Sequence, residues 1–135
     1  MPQPFLKTYL QDLGRALEQI RPEEFEAFAD ELLGALRRGS FIFICGNGGS
    51  GATASHFAAD INKGVSYGRS RRFKVISLND NLPTITAYAN DVSYDCVFVE
   101  QLRTWAEPGD VLLAISGSGN SPNVLRAVEY ANAAG

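Results

Sequence analysis

The residues with the clearest chemical potential lie in two short segments rich in glycine, serine and asparagine. The first is Gly46-Asn47-Gly48-Gly49-Ser50-Gly51, and the second is Ser116-Gly117-Ser118-Gly119-Asn120-Ser121. Each segment follows a run of apolar residues. Glycine lets a backbone approach a ligand closely, while hydroxyl and amide side chains supply hydrogen bonds. The two segments, called below the glycine loop and the serine loop, are therefore the first candidates for a binding site.

The serine loop has the composition of an anion site. Its hydroxyls come from Ser116, Ser118 and Ser121, and the free N–H groups that open the next helix carry the positive end of its dipole. This combination binds a dianion such as a phosphate ester without Lys or Arg. The alternative is an ordinary turn in which Ser121 is the helix N-cap and Pro122 begins the helix. Because three hydroxyls converge where one cap would suffice, the pattern favours phosphate binding.

The glycine loop admits two interpretations. Its glycines have the G-x-G-x-x-G spacing of dinucleotide-binding loops, but that motif also requires an acidic residue about 20 positions further on. The nearest candidate, Asp80, lies too far along the chain, so no nucleotide cofactor is expected. A kinase-type phosphate loop is excluded because no Gly-Lys-Ser/Thr follows. The other interpretation is that Asn47 and Ser50 face the same crevice as the serine loop and hold sugar hydroxyls.

Two polar pairs are further candidates. His56, the only histidine, and Asp60 are four residues apart and therefore share one helix face. They could transfer a proton or supply two ligands of a metal site, and a surface ion pair explains the spacing equally well. Asn90-Asp91 is predicted in a loop at the edge of the sheet, after a short helical turn near Pro83–Tyr88, where loop polarity alone would explain it.

The elements that position these residues alternate between strands and helices. Continuous apolar runs are typical of strands that are covered on both faces of a parallel sheet, and they are Phe41–Cys45, Phe73–Leu78 and Val111–Ile115. Helices are predicted at about 52–63, 94–105 and 122–134. Phe98 and Trp105 are interpreted as core residues of the second of these helices. Since parallel strands end at one edge of their sheet, both loops should lie on that edge of an α/β domain formed by residues 40–135.

Residues 1–39 have the pattern of a helical hairpin. Apolar residues recur at steps of three and four from Phe5 to Ile20 and again from Phe25 to Leu36. Pro22 suits the start of the second helix, and Gly39 suits its C-terminal end. These amphipathic helices have little core of their own to cover, so the pattern predicts a homo-oligomer in which the hairpin packs on another subunit.

Composition sets the remaining expectations. The 135-residue chain is 45% apolar and 20% charged with a net charge of −3, which is typical of a globular protein and makes nucleic-acid binding an unfavoured interpretation. Neither a membrane-spanning run nor a signal peptide is visible. Cys45 and Cys96 are far apart in sequence and are expected to be reduced core residues of a cytoplasmic protein.

The order of these motifs resembles the sugar isomerase (SIS) domain superfamily, and more closely the phosphoheptose isomerases. The resemblance rests on Gly46–Ser50, Ser55–Ala58, Ala89–Asp91 and Gly109–Ser121. It implies a three-layer, flavodoxin-like parallel sheet and a homotetramer with active sites at subunit interfaces. It also implies an aldose–ketose isomerase that converts sedoheptulose 7-phosphate to D-glycero-D-manno-heptose 7-phosphate through an enediol, in the synthesis of lipopolysaccharide heptose.

The resemblance assigns roles to individual residues. The residues that match the phosphate loop are Ser116, Gly117, Ser118 and Ser121. The expected sugar contacts are Asn47, Gly48, Ser50, Asn90 and Asp91. His56 matches a zinc ligand of some family members, and Asp60 falls where the family has its catalytic glutamate. A zinc ion held by His56 and Asp60, with Asp60 also catalytic, is therefore the expectation.

Two features depart from the family pattern. Aspartate in place of glutamate at position 60 shortens the side chain by one methylene, and a misplacement of about 1 Å can cost about 100-fold in rate. The family also continues with a strand and a helix that carries a Gln and a His, so residues 40–135 are expected to be a C-terminally truncated domain. The alternative function is a non-catalytic SIS protein that senses a sugar phosphate or binds a partner such as the replication initiator, and a dinucleotide-binding oxidoreductase is third.

Overall fold

The computed structural model describes residues 4–135, which form two compact units, one ending at Glu31 and one comprising Leu32–Gly135. Helix α1 (Phe5–Glu18) belongs to the first unit, and helix α2 (Pro22–Arg38) begins in it. None of the residues of α1 is buried. Both predicted helices are therefore present, although residues 1–3 of the proposed hairpin lie outside the described part. The domain boundary at residues 39/40 stays a prediction.

Three parallel strands form the sheet of the second unit, in the order β2-β1-β3. They are β1 (Phe41–Gly46), β2 (Lys74–Ser77) and β3 (Val111–Ile115). After β1 the chain forms β2 on one side of β1, and it later forms β3 on the other side of β1. The direction of strand order therefore reverses between β1 and β3. In open α/β sheets the crevice at such a reversal, beyond the carboxyl ends of the strands, is where ligands bind. The glycine loop and the serine loop both lie there.

The helices of this unit connect the strands. They are α3 (Gly49–Ala59), a π-helical segment (Asp60–Val65), α4 (Leu82–Asp91), a 3₁₀ turn (Tyr94–Cys96), α5 (Val99–Trp105) and α6 (Pro122–Ala134). Within residues 4–135, every helix is too short or too polar to cross a bilayer.

Strand β1 divides the core between the two faces of the sheet. Phe43 and Cys45 pack on one face with residues of α5 and α6, such as Leu102. Ile42 and Ile44 pack on the other face with residues of α2 and α3. Helices therefore cover both faces, and the predicted three-layer α/β architecture is confirmed.

Both cysteines are free and buried, as expected. Burial raises the pKa of the Cys45 thiol to about 12, because the low-dielectric core disfavours a thiolate. This cysteine is therefore a neutral packing residue of β1.

Three details of the sequence prediction were wrong. The helix after the glycine loop begins at Gly49 and not near residue 52, and its predicted last turn is π-helical. The predicted second long helix is divided into the 3₁₀ turn and α5, and the Ser93 hydroxyl caps the start of the turn by accepting from the Asp95 N–H. Trp105, at the end of α5, is 66% exposed, whereas Phe98 is 1% exposed and belongs to the core.

The placement of Asn90-Asp91 in a loop was also wrong. These residues form the last turn of α4. The Asn81 side chain caps the start of α4 by accepting from the Thr84 N–H at 3.2 Å, with proline in the first turn. The helix has ten residues where a short turn was predicted, so Asn90 and Asp91 are held by a helix.

The outer edge of β2 is closed by side chains. Asn62, in the π-helical segment, donates to the Val75 carbonyl at 2.7 Å and accepts from the Val75 N–H at 3.3 Å. The hydroxyl of Ser66 accepts from the Phe73 N–H at 3.1 Å. An unpaired strand edge is a template for pairing with another chain. Asn62 takes the position that a neighbouring strand would otherwise occupy.

Replacement of Asn62 by alanine tests this contact. The variant loses both hydrogen bonds to Val75 and is expected to be about 1–3 kcal/mol less stable to urea, with greater light scattering at high protein concentration because the edge is open. The control is Asn132→Ala, at an exposed position of α6. Equal stability and equal scattering of the two variants would show that Asn62 has no such role.

Candidate functional site

The glycine loop is shaped by close packing at both of its ends. Asn79, just after β2, accepts from the Gly46 N–H at 3.2 Å and donates to the Gly46 carbonyl at 2.7 Å. A Cβ on Gly51 would lie 2.8 Å from the Asn79 side-chain nitrogen, and one on Gly46 would lie 2.8 Å from Ser50 and from the Ile115 carbonyl. Two of the motif glycines are therefore required for space.

The middle glycine is required for its backbone conformation. Gly48 has φ +55° and ψ −121° and immediately precedes α3. Residues with a side chain rarely adopt such a conformation. The turn brings Ser50 into the first turn of α3, where the Ser50 N–H donates to the Asn47 carbonyl at 3.0 Å. All three motif glycines thus have a structural reason that is independent of any dinucleotide.

The serine loop is partly ordered by its own hydroxyls. Ser116 Oγ accepts from the Gly119 N–H at 3.1 Å, and Ser118 Oγ accepts from the Asn120 N–H at 3.2 Å. The two hydroxyl oxygens are 3.5 Å apart. A serine hydroxyl that accepts one bond still has its own hydrogen to donate. Ser116 and Ser118 are therefore placed close enough together to donate to the same anion.

The alternative in which Ser121 simply caps α6 does not describe this structure. Ser121 occupies the N-cap position, but its side chain makes no capping hydrogen bond. The side chain of Asn123 instead accepts from the Val124 N–H at 3.0 Å. Within residues 4–135, the N–H groups of Gly117 and Asn123 have no protein acceptor. The start of α6 thus retains both a hydroxyl and backbone donors for a ligand.

The two loops are joined by a pair of side-chain amides. Asn47 Nδ2 donates to Asn123 Oδ1 and Asn123 Nδ2 donates to Asn47 Oδ1, each at 2.9 Å. The Tyr94 hydroxyl also donates to Asn47 Oδ1 at 3.0 Å. Asn47, predicted as a sugar contact, is therefore held against the first turn of α6. One hydrogen of its amide nitrogen is used in this pair, and the other is available.

Asn90 and Asp91 lie at the end of α4, close in sequence to Tyr94. The Asn90 side chain donates to Asp91 Oδ1 at 2.7 Å, and the N–H groups of Val92 and Ser93 both donate to the Tyr88 carbonyl. Tyr94 follows the end of α4 by three residues, and its hydroxyl contacts Asn47 in the glycine loop. The end of α4 is therefore close in sequence to a residue that contacts this loop. Both side chains are exposed.

His56 and Asp60 form the predicted pair at the end of α3. His56 Nε2 is 3.5 Å from Asp60 Oδ2, and the two side chains are 81% and 69% exposed. No hydrogen bond or ion pair among the described residues joins them to the serine loop. Structural zinc sites have four ligands and catalytic sites have three protein ligands, whereas residues 4–135 contain no group of three His, Cys, Asp or Glu side chains that could hold a metal. This pair alone is not a complete zinc site.

Two open clefts share Trp105 in their linings, and the first of them also includes residues of β2. One, of about 670 Å³, is lined by residues that include Ser55, Asp80 and Trp105, and it contains none of the predicted site residues. The other, of about 430 Å³, includes Asp91. In the first cleft the Asp80 carboxylate accepts a hydrogen bond from the Ser55 hydroxyl at 2.5 Å. The serine loop itself is open to solvent from Gly117 to Asn120.

Sequence reasoning missed three side chains of this site. They are Asn79, Tyr94 and Asn123. Each acts across 33 to 76 positions of sequence, so no local pattern marks its partner. A signal was present only for Asn123, whose position directly after Ser121-Pro122 places it in the first turn of α6.

Comparison with known proteins identifies the class of this site. A family model described as the SIS domain matches residues 8–135, and the chain therefore belongs to the SIS domain family. A phosphoheptose isomerase of Alteromonas mediterranea is 47% identical over 118 residues. A probable phosphoheptose isomerase of Thermoplasma acidophilum is 40% identical over 129 residues. These alignments cover 86% and 96% of this chain, but 58% and 70% of the respective relatives.

Solved structures support the same assignment. The phosphoheptose isomerase GmhA from Neisseria gonorrhoeae superposes with a TM-score of 0.85 and 36% sequence identity, covering 96% of this chain and 68% of that one. A phosphoheptose isomerase from Francisella tularensis gives 0.87 and 29%, covering 96% and 69%. The predicted SIS fold is thus confirmed.

The packing of the glycine loop gives a matched pair of variants. In Gly51→Ala the new methyl group displaces Asn79, and we expect a loss of about 1–3 kcal/mol in the free energy of unfolding. In Gly49→Ala the methyl group meets nothing within 4 Å, so the variant should be neutral or more stable by up to about 1 kcal/mol, because alanine favours a helix. Urea unfolding measures both. If the two variants differ by less than about 0.5 kcal/mol, Asn79 does not fix this loop.

Proposed function

We propose that this chain carries the sugar-phosphate site of a phosphoheptose isomerase, acting on sedoheptulose 7-phosphate. The chain spans 58% of the Alteromonas relative, so this substrate and this reaction are inferred for the protein from its site. The single observation that supports the proposal is the direct contact of the glycine loop with the start of α6 through Asn47 and Asn123. That contact puts a group suited to sugar hydroxyls beside a loop suited to phosphate.

The phosphate ester binds the serine loop in this proposal. The hydroxyls of Ser116, Ser118 and Ser121 donate to the ester oxygens, together with backbone N–H groups such as that of Gly117. Binding energy from this remote group then orients the reacting end of the sugar. Asn47, Gly48, Ser50, Asn90 and Asp91 are the proposed contacts of that end.

Proton transfer is assigned to Asp60. A base removes the proton from C1 of the ketose to give an enediol, and a proton returned to C2 completes the aldose. The Asp60 carboxylate is exposed and faces His56, so solvent and substrate both have access to it. A second acid–base group must act on the oxygens, and residues 4–135 offer no second histidine for that role.

Zinc remains part of the proposal only through His56 and Asp60. Their imidazole and carboxylate are ordinary zinc ligands, but a bound ion needs at least one more protein ligand than this pair provides. Zinc would supply Lewis-acid polarisation of the sugar oxygens.

The proposed homotetramer has the exposed apolar surface of α1 as an interface between subunits. Its large apolar side chains are open to solvent, with Phe5 at 82%, Leu6 at 65% and Leu17 at 58%. Such a surface is typical of an interface between subunits. No partner other than the sugar phosphate and further copies of the chain is needed.

A non-catalytic SIS protein is the second candidate. One feature favours it: the chain has aspartate at position 60, where the resemblance to the family implies a glutamate. A protein of this kind would keep the serine loop for sensing a sugar phosphate and would not isomerise it.

Variants of Asp60 separate the two candidates. Asp60→Asn should lower turnover of sedoheptulose 7-phosphate by about 100-fold or more, because a positioned base contributes about that much, while affinity for the sugar phosphate changes little. Asp60→Glu tests whether the shorter aspartate side chain limits the rate. The control is Glu129→Gln, which removes an exposed carboxylate of α6. Turnover is measured with and without added zinc. Equal turnover in Asp60→Asn and the control refutes the catalytic role, and binding without turnover in the parent chain supports the sensor.

A further inference from the structure

We propose that Asn123 is a positioning residue, which holds the glycine loop at a fixed distance from the serine loop and so selects ligands that span both. The inference rests on the proposed sugar-phosphate site, and it concerns what the contact between Asn123 and Asn47 does for the choice of ligand. The side chain of Asn123 does not contact substrate in this proposal. It acts through Asn47.

The first support is the hydrogen bonding of the Asn123 side chain, whose oxygen accepts two bonds and whose nitrogen donates one. Its Oδ1 accepts from Asn47 Nδ2 at 2.9 Å and from the Val124 N–H at 3.0 Å, and its Nδ2 donates to Asn47 Oδ1 at 2.9 Å. One amide therefore contacts the first turn of α6 and the glycine loop at the same time. A carboxylate only accepts and a hydroxyl has a single oxygen, so neither could form the reciprocal pair of bonds that two amides make.

The second support is burial. Asn123 is 2% exposed, although most asparagines lie on protein surfaces. A buried amide costs free energy unless it is hydrogen-bonded, and a satisfied one enforces a single arrangement of its partners. The Tyr94 hydroxyl, at 3.0 Å from Asn47 Oδ1, adds a third bond to the same group. The separation of the two loops is therefore set by short, directional contacts.

The consequence is a difference between two classes of ligand. Inorganic phosphate needs only the serine loop, whereas a sugar phosphate contacts the serine loop through its ester and the glycine loop through its hydroxyls. A looser connection between the loops weakens binding of the sugar phosphate more than binding of inorganic phosphate, because the sugar is then no longer held in one orientation. Asn123 thereby controls the ratio of the two affinities.

The experiment uses the full chain and three variants. Asn123→Leu removes the amide with little change in volume, and Tyr94→Phe removes only the third hydrogen bond, at a 52% exposed residue whose loss should not unfold the protein. The control is Tyr67→Phe, at a 79% exposed tyrosine. Calorimetry gives Kd for inorganic phosphate and for sedoheptulose 7-phosphate. Amide hydrogen exchange at Ser50 reports the glycine loop, and exchange at Leu102 reports the core.

The expected result for Asn123→Leu is a sugar-phosphate Kd raised about tenfold, the effect of one or two neutral hydrogen bonds, with the inorganic-phosphate Kd changed less than twofold. Exchange at Ser50 should accelerate about tenfold while exchange at Leu102 is unchanged. In Tyr94→Phe the sugar-phosphate Kd and the exchange rate at Ser50 should each rise about threefold. In Tyr67→Phe neither quantity should change.

Two outcomes overturn the inference. An unchanged ratio of the two Kd values in both test variants means that the amide pair does not select the ligand. Unchanged exchange at Ser50 means that Asn123 does not hold the loop. A parent chain that binds phosphate but not the sugar phosphate contradicts the proposed function instead, and the exchange measurement then still decides whether Asn123 joins the loops.

Discussion

Parallel pairing of β1 with β3 is the constraint on which the site depends. The register places Gly46 beside Ile115, so the last residues of the two strands are neighbours and the loops that follow them leave the sheet together. A one-residue shift would exchange the two faces of β1, moving Phe43 and Cys45 away from α5 and α6. The register that builds the core therefore also brings the glycine loop to the serine loop, and the amide pair of Asn47 and Asn123 fixes their final separation.

Much of this arrangement could be predicted from local patterns. The apolar run of β1, the following glycines and the serine loop are each contiguous in sequence, so local patterns were sufficient to identify them. The parallel sheet and the common edge of the two loops followed from strand–helix alternation alone. The spacing of His56 and Asp60 likewise gave the observed contact, because a helix places residues four apart on one face.

The remaining features depend on contacts that are distant in sequence. Asn79 and Asn123 are ordinary loop and helix residues until the fold brings each of them to a backbone or amide partner more than 30 positions away. Helix α4 continues to Asp91, beyond the predicted turn, and its N-cap at Asn81 is made by a side-chain contact that the pattern did not reveal. Trp105 is at an apolar position of α5, yet the cleft beside β2 leaves it exposed. Periodicity identifies a helix face but not what covers it.

We propose that a phosphate ester binds where β3 ends and α6 begins, and amide chemical shifts during titration with inorganic phosphate test this site most directly. We expect saturable shifts at Gly117, Ser118, Ser121 and Asn123, with little change along the two clefts that include Trp105. Shifts confined to Arg69, Arg71 and Arg72, the arginines between the π-helical segment and β2, or no shifts at saturating phosphate, would contradict it.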